Sequence, residues 1–347
     1  MSRPPVRVLI VDDSAFARKV MREVLAESAE IEVVGAARDG LEAIEMIGEL
    51  RPDVLTLDLV MPNLDGLGVL RALPRVSPPR VVVVSVSDAE SALGVEALTA
   101  GAFDVVHKPT ALATARLYEL RGELIAKVLA AGQSRVTRLE PGLPAVLPLA
   151  PGRARSQIEL VVIGASTGGP QALTRLLASL PAGTPAAIAI ALHIPAGYTR
   201  AFGERLDRGC ALAVEEARDG AELCSGRVLV APGGGHMRVE RRGGRLWVAT
   251  MAAAAHDSLH APSVDLLFTS AVEAAGAGVL AVVLTGMGND GLEGARAVRA
   301  AGGTVLTEAE SSCVVYGMPR AVREEGLSSA EAPIERMGAA ILDHLVT

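Results

Sequence analysis

Aromatic side chains are scarce: 347 residues contain one tryptophan, Trp247, with three Tyr and four Phe. Ala, Val and Leu must therefore fill the cores. Cysteine is scarcer still, and the three present, Cys210, Cys224 and Cys313, are an odd number without close pairing, which excludes a disulfide scaffold and a zinc site. They read as reduced thiols. An excess of basic charge is also missing, since the formal net charge is −7 and the pI is near 5.5. A nucleic-acid partner is therefore not expected. Mean hydropathy is positive, +0.36, yet no stretch of about 18 residues is free of charge and helix breakers, so no membrane insertion is expected. The segment Met1 to Arg7 has no apolar signal core and no small-residue cleavage pattern. A cytoplasmic location is the expectation.

Half of the residues are hydrophobic, which excludes disorder as the general state, and the length corresponds to roughly two domains at about 150 residues each. From Val6 to about Ala130, short β-branched runs alternate with helical periods: Val6 to Val11, Ile31 to Gly35, Val54 to Leu57, Val81 to Val84 and Val105 to His107. This predicts a doubly wound parallel sheet. Prolines 141, 144, 148 and 151 then mark a semi-rigid linker. A second α/β alternation follows, with strands at Leu160 to Ile163, Ala187 to Ala191, Arg227 to Val230, Val279 to Leu284 and Thr304 to Thr307. It includes a hairpin between Met237 and Thr250 that turns at Gly243-Gly244. The expected division is 1–130, a linker over 131–157, and 158–347.

Ligands of an open parallel sheet sit at the carboxyl ends of the strands. In the first domain those ends carry Asp12, Asp13, Asp58, Ser85 and Lys108, the last followed by Pro109. Crowded carboxylates call for a divalent, oxygen-seeking cation such as Mg²⁺, and Asp58 could then act as a nucleophile toward a phosphoryl group held by Lys108 and Ser85. Asp13 could instead simply cap the helix that follows. The segments Val-Leu-Ile-Val-Asp12-Asp13-Ser, Leu-Asp58-Leu-Val-Met-Pro and His-Lys108-Pro resemble the receiver domain of response regulators over residues 6 to about 125. The resemblance implies a flavodoxin-like fold and phosphorylation of Asp58 by a histidine kinase. It also implies Mg²⁺ held by Asp13, Asp58 and the Val60 carbonyl, with Asp12 completing the acidic site. Val60 stands where relatives often carry an acid, and Val105 where receivers usually carry an aromatic switch residue.

In the second domain the strand Leu160 to Ile163 runs into Gly164-Ala-Ser166-Thr-Gly168-Gly169. This is a Gly-x-Ser-x-Gly turn that would expose a serine hydroxyl beside a helix N-terminus. A Gly-rich phosphate turn has the same look. A serine nucleophile needs a base, and His193 follows the next strand; His236, His256 and His260 are competing candidates. Asp290 is the acid at the end of the strand Val279 to Leu284 and would fix the imidazole. The same segment, Gly286-Met-Gly288-Asn-Asp-Gly291, with Glu308 some twenty residues on, also fits a dinucleotide fingerprint. Against that reading, Asp290 would face pyrophosphate with like charge.

Longer blocks narrow the choice. Gly-Ala-Ser166-Thr-Gly-Gly-Pro, His193-Ile-Pro-Ala-Gly-Tyr-Thr, Ala231-Pro-Gly-Gly, Pro262-Ser-Val-Asp-Leu-Leu-Phe, Leu-Thr-Gly-Met-Gly-Asn-Asp290-Gly and Ser312-Cys-Val-Val-Tyr-Gly-Met-Pro319 resemble the protein-glutamate methylesterase/deamidases of the CheB family. That resemblance implies a Rossmann-like catalytic domain that uses no cofactor for hydrolysis. It implies Ser166 as nucleophile, His193 as general base and acid, and Asp290 as the orienting carboxylate, with Met287 and Thr167 as oxyanion candidates. The implied partners are methyl-accepting chemoreceptors and the chemotaxis histidine kinase. An unphosphorylated receiver would obstruct the catalytic face. Leu192 and Ala261 replace a glutamine and an arginine common in that family, at positions that bear on substrate docking.

Overall fold

The computed structural model describes residues 4–74, 76–85, 91–108, 120–134, 144–148 and 156–346. Pro109, Pro141, Pro151 and most of the expected linker lie outside them. The chain divides into two compact units, Met1–Arg135 and Val136–Thr347.

The first unit is built on strands β1 (Val6–Val11), β2 (Ile31–Ala37), β3 (Val54–Leu57), β4 (Arg80–Ser85) and β5 (Asp104–His107). They pair in parallel in the order β2-β1-β3-β4-β5, the flavodoxin-like arrangement. A strand covered by helices on both faces can be apolar at every position, and Val8 to Val11 and Val81 to Val84 are all buried. Because β1 is followed by β2 on one side and β3 on the other, a crevice opens between the carboxyl ends of β1 and β3. Helix Ala15–Ala26 starts on Ser14, whose side chain accepts from the Ala17 N–H. Ser14, and not Asp13, is therefore the cap, which leaves the Asp13 carboxylate for the crevice. Helix Arg121–Gln133 packs to its end, with Ala131 buried.

The second unit contains β6 (Leu160–Ala165), β7 (Ala187–Leu192), β8 (Ala213–Glu216), β9 (Glu222–Leu223), β10 (Arg227–Val230), β11 (Gly235–Arg242), β12 (Arg245–Ala252), β13 (Val279–Val283), β14 (Thr304–Glu308) and β15 (Ala330–Ala332). Seven form a parallel sheet in the order β15-β14-β13-β6-β7-β10-β8. The other three make a small antiparallel sheet, β11-β12-β9. Its hairpin turns through Gly243 and Gly244, both at positive φ (56° and 80°), the conformation that a tight two-residue hairpin needs. In the main sheet the chain runs outward from β6 through β7 to β10 and β8, then returns to β13 and runs the other way. The reversal lies between β6 and β13, which pair directly, Val283 beside Gly164. As in the first unit, a crevice opens where the strand order reverses.

Candidate active site and acidic pocket

Strand register decides what meets at the crevice of the second unit. Ala165 pairs with Leu192, so Ser166 and His193 are the next residues out of neighbouring strands, and the His193 N–H donates to Ala165 O at 3.0 Å. The serine turn is shaped by its glycines. Gly168 has φ +79°, and a Cβ at Gly164 would fall 2.3 Å from Val264 Cγ1. The turn is tied to the loop after β13, because the Ser166 N–H donates to Thr285 O (3.0 Å) and the Thr285 hydroxyl to Thr167 O (2.9 Å). At Gly286 a Cβ would lie 2.8 Å from Ser166 Cβ, so only glycine lets the two loops touch. Of the two oxyanion candidates, Thr167 is buried and Met287 half-buried. The Ser166 and Gly286 N–H groups are spent on Thr285 O and Val315 O, whereas the Met287 N–H meets no acceptor among the described residues.

His193 and Asp290 are brought into contact: His193 Nε2 lies 2.9 Å from Asp290 Oδ2. Its Nδ1 is buried without a hydrogen-bond partner among the described residues, and the Ser166 hydroxyl makes no hydrogen bond to the ring. Nε2 facing a carboxylate carries the proton, so the lone pair is on Nδ1. His260 stacks on the ring, with centroids 4.2 Å apart.

Asp290 itself sits on the N-terminus of helix Val264–Ala275. Its Oδ2 accepts from Val264 N (2.8 Å) and its Oδ1 from Asp265 N (2.9 Å), while the Ser263 hydroxyl lies 3.4 Å from Oδ1. Burial alone would raise this carboxyl. The hydrogen bond to His193, the positive charge of the ring in its doubly protonated form and the two amides outweigh burial and hold it at about 2. The arrangement is reciprocal, for Asp265 Oδ1 accepts from Gly291 N (2.9 Å) and Gly294 N (2.7 Å) at the start of helix Leu292–Ala300. Each helix therefore carries the acid that caps the other. Burial, then the neighbouring Asp290 charge, pushes Asp265 up to about 6 against those amides. Asp265 carries no distinguishing signal in the sequence, because an acid in the first turn of a helix reads as a surface complement to the helix dipole.

The competing histidines have other positions. His236 Nδ1 accepts from Ser263 N (3.1 Å), which puts its proton on Nε2, facing Ala253 O at 3.2 Å. Both nitrogens are thus engaged beneath the cap of helix Val264–Ala275, and burial lowers the pKa. His256 meets His236 edge-on at 5.3 Å. Glu308 is 1% exposed. It cannot reach a ribose, so the dinucleotide fingerprint loses the acid it requires.

In the first unit, strand ends again gather the polar residues. Lys108 Nζ lies 2.6 Å from Asp12 Oδ2 and 3.1 Å from Asp58 Oδ2, and Ser85 is fully buried, its carbonyl accepting from Lys108 N (2.7 Å). Ligand oxygens of Asp12, Asp13 and Asp58 all lie within 4.8 Å of one another. Such a set of hard oxygens fits a divalent cation like Mg²⁺. Burial raises the Asp58 carboxyl, Lys108 opposes, and Asp12 adds to the rise. Burial works against the Lys108 charge, yet Asp12 and Asp58 carry its pKa upward. Val60 N donates to Asp58 Oδ1 (3.2 Å), with the Val60 side chain half exposed. Val105 is buried, and its carbonyl accepts from Lys127 Nζ (2.7 Å).

Comparison with known proteins gives two family matches: "CheB methylesterase" over residues 161–341 and "Response regulator receiver domain" over residues 8–118. Protein-glutamate methylesterase/protein-glutamine glutaminase 5 of Myxococcus xanthus is 58% identical, covering 98% of both chains. Protein-glutamate methylesterase/protein-glutamine glutaminase 3 of Geobacter sulfurreducens is 40% identical over 97% of this chain and 96% of its own. Among solved structures, the catalytic domain of Thermotoga maritima CheB methylesterase matches with a TM-score of 0.52 and 37% identity, covering 54% of this chain and 98% of that one.

Proposed function

The chain belongs to the CheB methylesterase family, with a response regulator receiver domain ahead of the catalytic block, and on that footing we propose a phosphorylation-regulated serine hydrolase acting on chemoreceptors. Its substrates are glutamate γ-methyl esters and specific glutamines of methyl-accepting receptors, and its role is chemosensory adaptation. The observation that carries this reading is the bond between His193 Nε2 and Asp290 Oδ2, made beside the Ser166 turn.

With Nε2–H held by Asp290, the free Nδ1 lone pair is the base. Ser166 Oγ attacks the γ-carbonyl carbon while its proton passes to Nδ1. The Met287 N–H, with the Thr167 side of the turn, faces the resulting oxyanion. Collapse breaks the ester C–O bond, and His193 returns the proton to methoxide, releasing methanol. A water then gives a proton to the same nitrogen and attacks the acyl carbon, and collapse breaks the acyl C–Oγ bond as His193 returns that proton to Ser166 Oγ, freeing glutamate. A receptor glutamine enters the same path: its amide C–N bond breaks, the nitrogen takes the proton from His193 and leaves as ammonia, and hydrolysis of the acyl-serine gives glutamate. Asp290 stays ionised throughout, so it steadies the imidazolium formed in each half-reaction.

In the receiver, Asp58 is the phosphoryl acceptor, supplied by the chemotaxis histidine kinase. Asp13, Asp58 and the Val60 carbonyl would hold Mg²⁺, which when bound offsets the charge on the phosphoryl oxygens. Lys108 and Ser85 hold those oxygens, and Asp12 completes the acidic set. The hydrolysis itself draws on the side chains of Ser166, His193 and Asp290 and on backbone amides of this chain. Receptor peptides analysed by mass spectrometry test the deamidase half. Glutamine-to-glutamate conversion with the intact chain and none with S166A is the expected result; equal conversion by S166A contradicts the reading.

A further inference from the structure

Glu308 ends β14 as a buried acid that the proton transfers above never use. Both of its oxygens are met by neutral donors: Thr285 N–H reaches Oε2 at 2.8 Å and the Ser312 hydroxyl reaches Oε1 at 2.9 Å. Thr285 is the residue from which the serine turn hangs. Its carbonyl accepts from the Ser166 N–H, and its hydroxyl donates to Thr167 O while accepting from Val315 N (3.0 Å). Only Thr285 therefore stands between the buried carboxyl and the backbone of the nucleophile.

Resting on the hydrolase reading above, we propose that Glu308 is a positioning residue that holds the Ser166 turn through Thr285, and that the charge on its carboxyl sets how firmly. A hydrogen bond to an ionised acceptor is roughly twice as strong as one to a neutral acceptor. Burial pushes this carboxyl up to about 7, with Glu335 adding to the rise and Thr285 and Ser312 opposing it, so both forms are populated near neutrality. Each form also has a place for its hydrogens. As a carboxylate it accepts from Thr285 and Ser312. As an acid its Oε1–H turns to Ser312 Oγ, and the Ser312 hydroxyl turns to Ala309 O, 3.4 Å away.

The ionisable neighbours leave this titration to Glu308. The Cys313 thiol is pushed far up by burial and stays neutral. Glu335, on helix Ile334–Leu345, acts only to disfavour a second negative charge, and Glu331 on β15 is engaged by Arg323 at 2.6 Å. Rising pH then tightens the hold on Thr285, and turnover rises with it.

The test is kcat and KM for methanol release from methylated receptor membranes, measured across neutral pH for the full-length wild type, E308Q and E308A. Wild type is expected to show one ionisation more than E308Q. E308Q keeps an acceptor for Thr285 and a donor for Ser312 but cannot ionise; it should lack that ionisation, with kcat about two- to fivefold lower on the alkaline side. E308A loses the hold on Thr285, and kcat should fall about tenfold or more while KM changes little. Identical profiles for E308Q and wild type overturn the proposal, as does an E308A kcat within twofold of wild type. If E308A fails to fold, the E308Q profile decides alone. Absence of methanol release by the wild type contradicts the hydrolase reading instead, so the two failures are distinct.

Discussion

Asp290 holds His193 with one oxygen while both oxygens sit on the amides of helix Val264–Ala275, so it orients the ring and anchors a helix at once. D290N would offer the ring either an amide N–H or a weaker acceptor. Its kcat for methanol release should fall by about 10³- to 10⁴-fold with KM little changed. The same residue fixes an acid limb of stability. Its folded pKa, about 2, lies below the ordinary 3.8, so its contribution is complete above pH 3.8 and is lost as pH falls through 2. That contribution is roughly 2 kcal/mol, and thermal melts between those pH values should be flatter for D290N than for wild type. Ser166, His193 and Asp290 could be named from sequence because polar residues at strand ends and long motif blocks are visible in one dimension. Which imidazole nitrogen faces the acid was not visible, since ring orientation depends on the helix that Asp290 caps. Nor was the reciprocal role of Asp265, whose partners Gly291 and Gly294 lie on another helix.

Two glycines set the geometry of the connecting loops. A methyl at Gly286 would fall 2.3 Å from Met318 Sδ and 2.8 Å from Ser166 Cβ, so G286A should displace the serine turn. Circular dichroism should show the fold retained while kcat drops by about tenfold or more, because small displacements of reacting groups are costly. Gly291 has φ +102° and a Cβ would lie 2.9 Å from Val264 Cγ1; G291A should lower stability by about 1–2 kcal/mol in denaturant melts and loosen Asp290 as well. At this scale the central strands were legible, since runs such as Leu160 to Ala165 are apolar at every position, as a doubly covered strand permits. The short strands β8, β9 and β15 were not. Ala213-Val-Glu-Glu, Glu222-Leu and Ala330-Glu-Ala carry too little apolar pattern, and the sheet edge, rather than local propensity, recruits them.

Both units place their polar residues where strand order reverses: Asp12, Asp13 and Asp58 at β1 and β3, and Ser166 and Asp290 at β6 and β13. One structural rule thus places the acidic pocket and the candidate hydrolase site of a single chain. Coupling between them predicts that a small phosphodonor with Mg²⁺ raises the esterase rate of the intact chain severalfold and leaves D58N unchanged. Equal responses of the two would uncouple the units. The central claim is that Ser166, His193 and Asp290 hydrolyse a glutamate methyl ester, and methanol release from methylated chemoreceptor membranes tests it most directly. The intact chain should liberate methanol with receptor glutamate as co-product, and S166A should liberate none above the uncatalysed background. Methanol released equally by S166A would contradict the account.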